Sequence, residues 1–487
     1  MNKLIVLFFL SSCAVAQTSP PGGAVTLQPG AGTVQPMGTA TSQSAPVPGT
    51  LAGDAPATVD LSISGFQRFN DPLLTDLIQT GLANSPSLRA AISRIEEARG
   101  RVRVAQSFLQ PSVRSSVLVT TQSLSEHRPV AIPLAVDKLP RFQLSTFQLL
   151  PIDASWELDL FKRIRSGIAL AQQQTQASEA DLRAFRLTLA ADIARTYYLI
   201  RANESEQTVF LRNIATRDST LGIVRERFRV GLVNQLDVQR AETDVAGLRV
   251  QVMGLQRART ELVNALAQLT AQEPATFGIE ANLSPSGALP GTLPIFPYAA
   301  ITPDLLRRRP DLLQADRAIQ VAGAQVVLQQ ASIQPRVTLV GSGGLLSGQL
   351  GYTFAPSSAT YLLGVNASVP LYEGRRNREN VALSRQQITT SQQTYLQTYQ
   401  IAQREAETAL DNLTYLRQQL DLQNQTLTLA RRTEQYNREL YVKGLTTYLD
   451  VLDAQRTVLA NEQQYVQLRG QEVQYLVALL RALGGDF

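Results

Sequence analysis

Apolar side chains recur at three- and four-residue steps along two very long stretches of the chain. Ile193 and Tyr197 follow this spacing in the first stretch, and Leu413, Leu416 and Leu420 follow it in the second. A period between three and four residues places such side chains on one face of a helix. The pattern therefore predicts two amphipathic α-helices.

These predicted helices are unusually long, because residues 168–221 and 375–443 contain neither glycine nor proline. At about 1.5 Å per residue, the second stretch would extend on the order of 100 Å. One such helix cannot bury its own apolar stripe, so we expect an extended coiled assembly. The opposite faces are rich in Gln, Thr, Ser and Asn. They form either a solvated outer surface or the wall of a water-filled tube, and composition does not choose between the two.

Two pairs of shorter segments show a loose alternation of apolar and polar residues. They are Val113–Gln122 with Gln143–Leu158, and Val337–Gly351 with Thr360–Leu371. Alternation of this kind is typical of transmembrane barrel strands. After the amino-terminal region, no stretch approaches the roughly 18 apolar residues of a spanning helix, so a membrane crossing would use these strands. Four strands cannot close a conducting barrel, and an open edge cannot remain in lipid, so closure requires several protomers.

The sequence from about residue 59 onward indicates a tandem repeat. Residues 85–88 align with 309–312, and residues 228–232 align with 441–445, each pair around a shared proline or glycine. Self-similarity at this scale indicates a duplicated structural unit. An extra segment in the first unit, residues 125–141, is predicted to be a cell-surface loop. The predicted parts are a signal peptide over 1–16, a flexible Pro/Gly/Ser/Thr leader over 17–58, repeats over 59–275 and 301–487, and a linker over 276–300.

The amino terminus has the pattern of an export signal, with Lys3 followed by an apolar core over Leu4–Leu10. Two processing sites compete. Cleavage before Cys13 would leave a lipid-modified cysteine, whereas cleavage before Gln17 would discard it. We favour lipidation, because Cys13 is the only cysteine of the chain and stands where a lipoprotein signal needs one.

The remaining composition argues against catalysis, metal binding and nucleic-acid binding. The 487 residues include one His, one Trp, three Met and one Cys, which leaves little material for metal sites, thiol chemistry or imidazole catalysis. The formal charge of +5 is spread along the chain without a dense basic tract, so nucleic-acid binding is not expected. We predict no enzyme activity and no cofactor.

Several motifs resemble those of the outer membrane efflux protein family, the TolC-like outer-membrane factors, and within it the lipid-anchored multidrug efflux branch. They lie at 157–165 after the first strand pair, at 369–375 after the second, and at 444–454. The resemblance implies a mainly α-helical protein with a membrane β-barrel portion. In a homotrimer, four strands per protomer would form a twelve-stranded barrel above a long periplasmic helical tunnel.

The resemblance also implies partners. Gly231, Leu232, Gly444 and Leu445 would form the tunnel tip that receives a periplasmic adaptor protein, itself attached to an inner-membrane pump. A purely structural interpretation stays open, because a glycine followed by a new helix is ordinary helix-turn chemistry.

The resemblance places Asp450 and Asp453 at the constricted periplasmic aperture, where threefold symmetry would gather six carboxylates. Arg240 holds the repeat position equivalent to Asp453. We hypothesise an ionic latch between these positions, which predicts that charge reversal at Asp453 changes conductance and antibiotic permeability. The alternative is an acidic helix start that the helix dipole favours.

A competing class is a periplasmic coiled-coil scaffold or adaptor without a pore. It would explain the long helices and the export signal, but it does not explain two strand pairs. The sequence therefore favours an outer-membrane channel that conducts passively, with energy supplied by a partner pump.

Mass spectrometry of the mature amino terminus tests the processing prediction. We expect a chain that begins at Cys13 and carries the added mass of acyl groups. An unmodified chain that begins at Gln17 would contradict it.

Overall fold

The structure is a computed structural model that describes residues 64–125, 142–284, 288–290, 293 and 303–485. All of these residues belong to one compact unit, Asp60–Phe487. The signal peptide, Cys13, the leader and nearly all of the predicted surface loop lie outside the described residues.

Helices dominate the described chain, and a smaller antiparallel sheet interrupts them. The helices are α1 Ser64–Gln67, α2 Pro72–Asn84, α3 Pro86–Ser107, α4 Arg163–Arg229, α5 Gln235–Thr270, α6 Pro303–Arg307, α7 Pro310–Ser332, α8 Arg376–Val442 and α9 Tyr448–Ala482. The strands are β1 Ser112–Ser115, β2 Leu118–Leu124, β3 Phe142–Leu158, β4 Arg336–Ser347 and β5 Ala359–Ser368. Among the described helices, none combines the length and the apolar character needed to cross a membrane.

The two long helices, α4 and α8, each contain 67 residues. The predicted bounds of α8 are right to within one residue at each end. The glycine-free stretch 168–221 lies inside α4, which begins at Arg163 and continues through Gly222 to Arg229, just before the predicted glycine turn. A glycine inside a helix costs only about 1 kcal/mol, and burial of Leu221 and Val224 beside it offsets that cost.

The sheet is four strands wide. β3 pairs with β4 and β4 with β5, while β1 and β2 lie end to end along the free side of β3. All pairs are antiparallel, and a bulge interrupts the β3–β4 register between Leu149 and Ile152. The predicted strand over Val337–Gly351 is too long, because the chain leaves the sheet after Ser347 and forms a 3₁₀ turn over Leu350–Tyr352.

The main core lies where α2, α4, α8 and α9 meet. Ile78, Tyr198, Leu413 and Leu476 are fully buried there. A second apolar cluster near the carboxyl ends of α4 and α8 includes Val224 and Val451. The apolar stripes predicted from the sequence therefore pack against neighbouring helices of the same protomer.

Four buried carboxylates each pair with two arginines between the packed helices. The sets are Glu204 with Arg201 and Arg259, Asp244 with Arg217 and Arg456, Glu462 with Arg212 and Arg431, and Glu472 with Arg417 and Arg469. A buried carboxylate is costly unless it is paired and hydrogen-bonded. Each set is thus favourable only in the helix register that brings its members together, and the four sets together oppose sliding of one helix past another.

Replacement of Glu204 by Gln tests this role. Its carboxylate is 0% exposed and accepts from Arg201 Nη1 at 2.7 Å and Arg259 Nε at 2.8 Å. Loss of the charge leaves two guanidinium groups uncompensated, so we expect the fold to lose about 3 kcal/mol and its melting temperature to fall. The control is Glu261→Gln, because Glu261 forms only an exposed pair with Arg257. Equal melting temperatures for the two variants would contradict the prediction.

Candidate functional site: an amphipathic sheet and two helical tips

The sheet has one apolar face. Residues directly opposite each other in antiparallel strands share a face, and successive residues alternate between faces. The β3–β4–β5 register therefore groups one set of side chains on the same surface. Its members are Ile152, Ala154, Trp156 and Leu158, then Val337, Leu339, Gly341 and Gly343, then Ala367, Val365, Leu363 and Tyr361.

The opposite face is more polar. It carries Asp153, Ser155 and Glu157 beside Thr338, Val340 and Ser342, and then Asn366, Gly364 and Leu362. Ser112 and Ser155 also share a hydroxyl hydrogen bond of 2.8 Å across β1 and β3. A sheet with one apolar and one polar surface suits a wall between lipid and water.

Both outer edges of this sheet lack a neighbouring strand among the described residues. The edges belong to β5 on one side and to β1 and β2 on the other. Tyr361 and Leu363 on β5 are 85% and 81% exposed. An unpaired edge presents backbone donors and acceptors that need partners, and it pairs readily with another strand.

Two helical tips lie at the other end of the long helices, and their geometry is the same. At the end of α4, Leu232 N donates to Arg227 O at 2.8 Å and Gly231 N donates to Phe228 O at 2.9 Å. At the end of α8, Leu445 and Gly444 form the equivalent pair of bonds, at 2.9 Å each. Both glycines have φ of 77°. This is the Schellman ending of a helix, which favours glycine at the left-handed position.

The tips expose the leucines that follow these glycines. Leu232 is 73% exposed and Leu445 is 71% exposed. Three residues after each glycine, a polar residue caps the next helix, with Asn234 Oδ1 accepting from Asp237 N at 3.0 Å. Thr447 caps α9 in the same way. The structure therefore brings the predicted tip residues to two matching helix turns with exposed apolar ends.

Asp450 has a local structural task. Its carboxylate accepts from Thr447 N at 3.0 Å, from Thr447 Oγ1 at 2.6 Å and from Thr446 Oγ1 at 2.7 Å. These hydrogen bonds, those of Thr447 first, hold the pKa of the exposed Asp450 carboxyl below its usual value. Within one protomer, Asp450 therefore stabilises the start of α9, as the helix-start alternative expected.

The other two predicted aperture residues do not meet within a protomer. Asp453 is exposed, one turn beyond Asp450. Arg240 Nη1 lies 3.6 Å from Asp237 Oδ1, on its own helix. A latch between Arg240 and Asp453 would have to form between protomers, and it stays a prediction.

Sequence reasoning missed the contacts that join the two tips. Arg227 Nη2 donates to Tyr441 O and to Val442 O, each at 2.9 Å, and its guanidinium lies 4.3 Å from the centre of the Tyr441 ring. One arginine at the end of α4 thus binds the last carbonyls of α8. The sequence gives no signal for this contact, because a surface arginine in the last turn of a helix is common.

A family model of outer membrane efflux proteins matches residues 77–272 and 301–485, which is most of the chain. The chain belongs to the outer membrane efflux protein family. The resemblance seen in the sequence is therefore confirmed, and the protein is an outer-membrane efflux channel with a long periplasmic helical part.

Curated relatives of the channel agree. It is 28% identical over 422 residues to the toluene efflux pump outer membrane protein TtgC of Pseudomonas putida, which covers 86% of this chain and 84% of TtgC. It is 27% identical to the antibiotic efflux pump outer membrane protein ArpC of Pseudomonas putida, with the same coverage of 86% and 84%.

Solved structures show the same fold. The outer membrane protein VceC of Vibrio cholerae superposes with a TM-score of 0.75 at 26% identity, covering 88% of this chain and all of VceC. The mainly helical fold with a smaller sheet is thus shared with a solved outer membrane protein.

Replacement of Asp450 by Ala separates capping from the aperture. Loss of the carboxylate removes the acceptor of three hydrogen bonds, so we expect the start of α9 to fray and amides 451–454 to exchange faster with deuterium. Because the pKa is lowered, protection in the native protein should persist below the ordinary Asp pKa and disappear only as pH falls through the lowered value. Asp453→Ala is the matched control and should leave exchange unchanged. Identical exchange in both variants would show that Asp450 is not a cap.

Proposed function

We propose that three copies of this chain close one twelve-stranded barrel in the outer membrane and one periplasmic tunnel beneath it. The single observation that carries the proposal is the four-strand-wide sheet with an apolar face, a polar face and two unpaired edges. In lipid every backbone donor and acceptor needs a partner, which closure provides. The apolar face would contact lipid, and the polar face would line the water-filled bore.

Equal helix lengths support the duplicated architecture. α4 and α8 have 67 residues each, α5 and α9 have 36 and 35, and α3 and α7 have 22 and 23. Because each protomer would contain two structurally equivalent units, the tunnel of a trimer would have approximate sixfold symmetry. A tunnel needs such regularity, because helices of unequal length would leave gaps at its rim.

The tips are the proposed contact for a periplasmic adaptor. Leu232 and Leu445 offer apolar side chains in turns that the Schellman bonds hold rigid. A rigid exposed leucine loses little entropy when a partner covers it. The adaptor would join the channel to an inner-membrane pump, which supplies the energy for transport.

The cargo is proposed from chemistry and from the relatives. TtgC is named for toluene efflux and ArpC for antibiotic efflux. We infer that this channel conducts small organic molecules that the pump selects. A wide aqueous duct has no need to recognise them, so conduction is passive.

The tunnel end is the proposed gate. Asp453 of one protomer would meet Arg240 of its neighbour, since each side chain is exposed or half-exposed within its own protomer. Acylation of Cys13 would anchor the chain to the membrane beside the barrel.

Planar-bilayer recording of the purified full-length protein, with its mass determined on the same sample, tests the proposal. We expect a trimer that gives discrete openings. A folded monomer that never conducts would favour the scaffold alternative. A trimer without conductance would contradict the proposed pore.

Charge reversal at the aperture is a separate test in the same recording. Asp453→Lys would replace attraction to Arg240 by repulsion, so we expect more frequent openings and weaker preference for cations. Asp421→Lys is the control, because Asp421 is an exposed acid of α8 that lies about six helical turns before the helix ends at Val442. Unchanged gating in Asp453→Lys would rule out the latch.

A further inference from the structure

A groove lies where β5 leaves the sheet and α8 begins. Its volume is about 930 Å³, and it is bounded by the end of α7, the segment 370–375 and the first turns of α8. Arg375, Arg378 and Arg385 line the groove. Leu371 and Tyr372 also line it and are 90% and 87% exposed. The groove therefore sets guanidinium groups beside apolar side chains that the protomer leaves uncovered.

These arginines carry uncompensated charge. One carboxylate, Glu373, also lines the groove, but it pairs with Arg376 at 2.7 Å. Among the described residues, no carboxylate pairs with Arg375, Arg378 or Arg385. The groove is therefore positive and suits an anion, and a guanidinium can bind a phosphate through two parallel hydrogen bonds.

The sheet register sets the level of the groove. Leu158, Val337 and Ala367 are paired across three strands, so these strands reach the base of the sheet on one line. Ten residue pairs join β4 and β5, from Arg336–Ser368, next to that base, to Leu345–Ala359. A barrel strand needs about 9 to 11 residues at a tilt of about 45° to cross a bilayer, so this stretch is long enough. If the sheet spans the outer membrane as proposed above, the groove lies at the phospholipid headgroups of the periplasmic leaflet.

The other strand-to-helix junction has the same composition. After β3, Leu160 and Phe161 are exposed. Lys162 and Arg165 line a smaller groove of about 430 Å³ against α7. Arg165 lies 3.8 Å from Asp159, so this groove is less positive than the first. Two junctions that both pair exposed Leu-aromatic residues with cations match the residue types that favour a membrane interface.

We propose that the groove formed by Leu371, Tyr372, Arg375, Arg378 and Arg385 binds an anionic phospholipid of the periplasmic leaflet. The arginines hold the headgroup phosphate, and Leu371 and Tyr372 contact the start of its acyl chains. Such a lipid would fix the height of the barrel in the membrane. The inference rests on the proposed membrane-spanning sheet.

Native mass spectrometry of the full-length protein in detergent, with phosphatidylglycerol or phosphatidylcholine added, measures this binding. We expect phosphatidylglycerol to be retained in preference. In the triple variant Arg375→Gln, Arg378→Gln, Arg385→Gln, its affinity should fall on the order of a hundredfold, because each of the three cations contributes about 1 kcal/mol near an anionic surface. The triple Lys variant keeps the charge but loses the parallel guanidinium hydrogen bonds, so its preference should lie between those of the native protein and the Gln variant.

A matched control removes three exposed arginines elsewhere, through Arg257→Gln, Arg432→Gln and Arg438→Gln, and should bind phosphatidylglycerol as the native protein does. No preference in the native protein, or an equal loss in control and groove variants, would overturn the proposal. So would conversion of the groove variant to monomers, which would show that a second copy occupies the groove. Conductance of the native protein is measured independently, so failure of lipid binding would not contradict the proposed pore.

Discussion

The need to pair every backbone donor and acceptor at the sheet edges is the constraint on which the rest of the structure depends. β5 and the β1–β2 side of β3 each end the sheet without a neighbour among the described residues. In water such an edge is a liability, and in lipid it is untenable. If the sheet spans the membrane as proposed, one protomer is incomplete, and identical copies would provide the simplest closure because the two edges could pair as antiparallel strands.

The helical part must stay rigid over a long distance. Apolar stripes hold α4, α5, α8 and α9 together, but such stripes alone tolerate sliding. The buried carboxylates Asp244, Glu204, Glu462 and Glu472 restrict sliding, because each pairs with at least one arginine of another helix at a fixed height. Near the tips, Arg227 adds a direct bond between the ends of α4 and α8. The ends of α4 and α8 are thus held together, and the turns that follow them leave Leu232 and Leu445 exposed.

The sequence predicts these features unequally. Long amphipathic helices, strand pairs and glycine tips follow from local periodicity and turn chemistry, so their positions were predictable. The extension of α4 beyond its glycine-free stretch, through Gly167 and Gly222, depends on packing that outweighs the intrinsic cost of glycine in a helix. The sequence alone left two roles open for Asp450, one at the aperture and one at the start of a helix. Arg227 left no sequence signal, since its partners are backbone carbonyls of a distant segment.

Cysteine cross-linking between sheet edges tests the closure directly. One cysteine at Val119 on β2 would be combined in turn with cysteines over 361–367 on β5, with each single-cysteine protein as a control. Antiparallel neighbours bring side chains within disulfide reach at one register only. The account predicts that one combination yields covalent trimers and nothing larger on a denaturing gel. Monomers at every register, or a ladder that continues beyond three copies, would contradict it.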